Sequence, residues 1–137
     1  MKKILLIAVL ASAVLFASED ANATKVLKPT QMKTMQLLEE AMETIQKGFL
    51  YNNENVVENG VKDLKKNLED IGSFMIKNNE DKNFNAPVYA ATETAAITTL
   101  GDEILKAYKS EEKDKALTLY GQAFQRCIAC HKIIRKW

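Results

Sequence analysis

The residues best equipped for chemistry stand together near the C-terminus, in Gln125-Arg126-Cys127-Ile128-Ala129-Cys130-His131-Lys132-Ile133-Ile134-Arg135. This stretch holds both cysteines of the chain and its single histidine. On a helix Cys127 and His131, four residues apart, share one face, and Cys130 sits between them beside the imidazole. Two thiols in such a patch can add across the two vinyl groups of a haem to form thioethers, while the adjacent imidazole coordinates the iron from one side. The Cys-Ile-Ala-Cys-His spacing is the attachment pattern of haem c.

Three other uses of the same residues are weaker. A tetrahedral zinc site takes four protein ligands or three plus water, and with no further Cys or His the fourth would have to be a carboxylate. A thioredoxin-like dithiol calls for a strand-to-helix context, and no β pattern lies nearby. A disulfide between Cys127 and Cys130 would close a loop too small to constrain the unfolded chain. Chance clustering of all three residues is the least plausible origin.

The N-terminus supplies the compartment in which such attachment happens in bacteria. Lys2 and Lys3 precede an apolar run from Ile4 to Ala17, followed by polar Ser18-Glu19-Asp20 and the small-residue pattern Ala21-Asn22-Ala23. This is the layout of a secretory signal peptide over residues 1–23, cleaved after Ala23. The run is too short to cross a hydrocarbon core. The expectation is export to the periplasm with no membrane anchor after processing, leaving residues 24–137 as one domain. A net charge of +1 gives no reason to expect nucleic acid as a partner.

The elements that must position the motif are helices. Met35, Leu38, Met42, Ile45 and Phe49 recur at three- and four-residue steps between Thr30 and Leu50, with Pro29 suited to the start. Val57, Val61, Leu64, Leu68 and Ile71 form a second stripe, and a polar loop is expected between Gly72 and Ala86. Pro87 opens a third helix to about Lys109, whose run Ala90-Ala91-Thr92-Glu93-Thr94-Ala95-Ala96 would let a bulky neighbour lie close. A fourth runs from about Lys113 to Arg135 with Ala116, Leu119, Tyr120, Ala123, Phe124, Cys127 and Ile128 facing inward. Four amphipathic helices with mostly short connections predict an all-α, antiparallel four-helix bundle carrying the haem on its C-terminal helix.

A bundle with Cys127-Ile128-Ala129-Cys130-His131 on its last helix, Arg135 four residues further on, Tyr120-Gly121 upstream and Lys47-Gly48 ending the first helix resembles the class II cytochromes c. That family includes cytochrome c′ and its six-coordinate low-spin relatives, and the resemblance spans the mature region. It departs at Ile134, where the family often has an aromatic residue. The resemblance implies one covalent haem c held by Cys127 and Cys130, with His131 as proximal ligand and Arg135 near the proximal side. Counting sixteen residues back from Gly48, it puts the distal position at Met32, a methionine ligand in the six-coordinate members. The helical stripe by itself puts Met35 and Met42 at its centre and Met32 about 100° away, which makes Met35 the second candidate.

With both axial positions filled, the expected role is one-electron transfer between periplasmic redox partner proteins, not catalysis, since no second histidine or acid–base pair accompanies the motif. With the distal face free, the expected role is binding of nitric oxide or carbon monoxide, as in five-coordinate cytochrome c′. The resemblance also admits a homodimer paired through the first helices. Arg126, Lys132, Arg135 and Lys136 form a basic cluster that could guide docking to an acidic partner. Glu39, Glu40 and Glu43 read as the solvated side of the first helix.

Overall fold

The computed structural model describes residues 29–73 and 83–135. The expected signal peptide, the segment 74–82 of the polar loop, and Lys136 lie outside these residues. Four α-helices form the described structure: α1 (Pro29–Leu50), α2 (Glu54–Leu68), α3 (Ala86–Lys109) and α4 (Lys113–Arg135), with a 3-10 turn over Glu69–Ser73 after α2. They pack antiparallel in a bundle-like arrangement. The helix limits fall close to the sequence expectation, except that the second stripe divides after Leu68 and Ile71 lies on the 3-10 turn.

The starts and stops follow from local chemistry. Asn53 caps α2 and Asn85 caps α3, each side-chain oxygen accepting from the backbone N–H three residues on, and Pro87 occupies the first turn of α3. Asn52 carries the left-handed turn between α1 and α2 at φ 46°, a conformation asparagine tolerates better than most residues. Among the described residues no helix is long and apolar enough to cross a membrane.

Ile45, Val57, Val61, Leu64, Leu68 and Ile104 are the large side chains most completely withdrawn from solvent, and they weld α1, α2 and α3 into the core. The tightest seam is α1 on α2. A Cβ on Gly48 would fall 2.7 Å from the backbone nitrogen of Val57, and one on Gly60 would fall 2.7 Å from that of Ile45. Only glycine allows that approach. Backbone proximity then runs from α2 to α3 and from α3 to α4, and α1 meets α4 through Phe49, Met42 and Met35 against Tyr120 and His131. The upper part of that contact is aromatic: Phe49 stacks on Tyr108, meets Tyr120 edge-on, and the Tyr120 hydroxyl donates to the Met42 carbonyl at 3.3 Å.

One expectation for α4 is corrected. Phe124, expected inward, is 51% exposed. Its neighbour Ala123 is wholly buried, and one residue further turns 100° around the helix, which carries Phe124 off the buried face.

Candidate functional site

The site is built on the last two turns of α4 and the first two of α1. Because α4 continues unbroken to Arg135, Cys127, Cys130 and His131 keep their i, i+3, i+4 relation on one helix. Both thiols are unpaired and half-buried. Burial pushes the Cys127 thiol up from its ordinary range. It pushes Cys130 up to about 11, with the Glu93 carboxylate and Cys127 adding to the effect. Two protonated, unbridged thiols on one helix face are the form that can add to vinyl groups.

Across the α1–α4 seam, His131 Nε2 stands 3.5 Å from the sulfur of Met35. With its proton on Nε2 the imidazole donates a weak hydrogen bond to the thioether; with the proton on Nδ1, two lone pairs face each other. Met32, one turn earlier on α1, is 52% exposed, and Met42 is a buried core residue. The chain thus brings Met35 to the histidine and leaves Met32 at the rim, displaced by about 4.5 Å along the helix axis and about 60° around it. The α4 backbone is described through Arg135, but its side chain lies outside the description.

Two further groups frame the motif. Arg126, immediately before Cys127, donates from one Nη to both oxygens of Glu93 on α3, at 3.1 and 3.3 Å. The Glu93 side chain is 15% exposed, so the pair ties α3 to α4 from a sheltered position. Arg126 therefore shares its charge with Glu93, while Lys132 is exposed. Tyr89, one turn before Glu93, has its phenol pushed up by burial and next by the nearby Cys130. Glu39, Glu40 and Glu43 lie exposed on α1 as expected.

Sequence reasoning did not single out Glu93 or Thr94. The available signal was a lone carboxylate inside the small-residue run Ala90–Ala96, where charge needs a partner. Thr94 has a buried hydroxyl with no hydrogen-bond partner among the described residues.

These features bear on whether a haem fits. His131 and Met35 bring an imidazole nitrogen and a thioether sulfur within 3.5 Å of each other across the α1–α4 seam. The donor set also suits the group: two thiols for attachment, with imidazole and thioether for iron. Among the described residues no three His, Cys, Asp or Glu side chains converge as a metal site. Comparison with protein-family models, with curated proteins and with solved structures finds no match to this chain.

Proposed function

We propose that this chain is an exported, periplasmic mono-haem cytochrome that passes single electrons between partner proteins, on a class II cytochrome c plan. Cys127 and Cys130 would hold the haem through thioethers, and His131 and Met35 would supply nitrogen and sulfur to its iron. The observation that carries the reading is the approach of the only imidazole to a thioether, 3.5 Å apart, on the same helix end as two unpaired thiols. Met32, which the family resemblance selects, remains the rival ligand position.

A bound iron porphyrin would supply a reversible one-electron couple at a thioether-ligated, hence relatively high, potential. The protein's part is to limit rearrangement. Met35 sits on a helix clamped to α2 by the glycine contacts of α1, and His131 sits on a helix tied to α3 by Arg126 and Glu93. Ligands fixed on rigid elements keep their positions when the charge at iron changes, and buried surroundings favour the less charged reduced state.

The test is to express the full chain in a host that matures haem c, then record intact mass and oxidised and reduced absorption spectra. The expected product is red, carries one covalent haem and shows low-spin, six-coordinate bands with a weak sulfur-to-iron transition. A high-spin, five-coordinate spectrum would move the reading to nitric oxide or carbon monoxide binding. Colourless protein at apoprotein mass would refute both.

A further inference from the structure

Leu117 and Phe124 on α4 are 58% and 51% exposed, although both are large and apolar. Seven residues apart, they share one face of the helix, and Gly121 and Ile128 continue the same line. Steps of four, three and four residues form a straight seam, the spacing through which helices pair. By helical pitch this seam lies about 110° around α4 from the face that carries Ala116, Ala123 and Cys127 into the bundle. It is a second apolar face on the same helix, and residues 116–125 carry no charge. A contiguous exposed face of this kind marks an interaction surface.

The seam is complementary to itself when run antiparallel. A two-fold axis level with the midpoint of Gln122 and Ala123 sets Leu117 of one copy against Ile128 of the other, and Phe124 against Gly121. The largest residue of the seam thus opposes the smallest. At Gly121 even an added Cβ would meet nothing within 4 Å, so the place for the ring is open. The charges obey the same symmetry. Asp114 in the first turn of α4 and Lys132 near its end are both exposed, and both lie about 50° from the seam on the same side. The axis brings Asp114 of each copy within one residue of the level of Lys132 of the other. A parallel arrangement would instead set Asp114 beside Asp114 and Lys132 beside Lys132, so the charges select the antiparallel one.

We propose that this seam is the surface through which two copies of the chain associate, α4 against α4 about an antiparallel two-fold axis. Phe124 and Leu117 form its centre, and two Asp114–Lys132 pairs form its rim. The pairing differs from one through the first helices, which the family resemblance admits. Cys127 and Cys130 lie about 90° or more from the seam, so the association does not rest on the haem reading.

The experiment is sedimentation velocity of the purified full chain from low micromolar to near-millimolar concentration, with circular dichroism to show that each variant stays helical. Wild type should shift from monomer to dimer. Phe124→Lys should weaken the association by about tenfold or more, as loss of a central aromatic does. Asp114→Lys and Lys132→Asp should each weaken it by about two- to fivefold, and the double exchange should recover most of that loss. Should Phe124→Lys fail to fold, Leu117→Lys tests the same face. A monomer at every concentration overturns the proposal, and so does a dimer untouched by Phe124→Lys, which would point to another face. A double exchange no tighter than the single ones overturns the antiparallel register. Colourless protein that still dimerises would refute the haem reading and support this one.

Discussion

Gly60→Ala probes the seam that holds Met35 in place. Gly60 lies inside α2, where alanine would ordinarily stabilise the helix by about 0.8–1.0 kcal/mol. Here the added Cβ would sit 2.7 Å from both Cγ1 and the backbone nitrogen of Ile45 and 3.0 Å from the Ala41 carbonyl oxygen. Two of those atoms are backbone, so side-chain rotation cannot relieve the overlap, and α1 must shift away from α2. Ile45 and Val57 are wholly buried at this contact, so their packing loosens as the helices part. Overpacking of this kind costs about 1–3 kcal/mol, and after the propensity gain a net loss of up to about 2 kcal/mol remains. Gly121→Ala is the control: it is also mid-helix, but its Cβ meets nothing within 4 Å, so the propensity gain should appear in full. The propensity gain is common to both, so the two variants should differ by the overpacking cost, about 1–3 kcal/mol, or on the order of 10 °C in thermal midpoint for a domain of this size. Circular dichroism melts of both, prepared in the same loading state, decide the matter. A Gly60→Ala protein that gains as much stability as Gly121→Ala would show that α1 and α2 do not approach this closely.

Met35→Leu should convert a low-spin spectrum to high-spin in the loaded protein, whereas Met32→Leu should leave it low-spin; the opposite pattern would transfer the ligand to the position chosen by resemblance. In the chain before thioether formation, Cys130 and Cys127 should react with iodoacetamide at pH 8 about tenfold or more slowly when folded than in urea, because burial holds both thiols protonated. The sign for stability follows: the unfolded chain loses its thiol protons first, so stability should fall as the pH rises from about 9 toward about 11, and Cys130→Ser should flatten that slope. Tyr108→Phe should cost about 1 kcal/mol in denaturant unfolding, since it removes a hydroxyl that donates to Asn52 at 3.0 Å from a buried ring.

Much of the fold was legible because helices are local. Three- and four-residue apolar spacing, Asn and Pro at helix starts, and a polar break after Gly72 mark four helices with no knowledge of their partners. The Cys127–His131 constellation was legible for the same reason: its geometry depends only on helical pitch. The stripe also placed Met35 at its centre.

What the sequence by itself determined is therefore a set of amphipathic helices and a chemically competent patch on the last of them. The tertiary structure decided which methionine meets His131, a contact between residues 96 positions apart. It also decided that Glu93 is paired to Arg126, that Thr94 keeps a buried hydroxyl with no partner among the described residues, and that Phe124 faces outward. Each of these depends on the rotation and sliding of one helix against another. Periodicity fixes the face a helix buries to within a broad arc, but a single hydrogen bond or ligand contact is settled by shifts of an ångström, which come from side-chain packing across the bundle and not from any local run of residues.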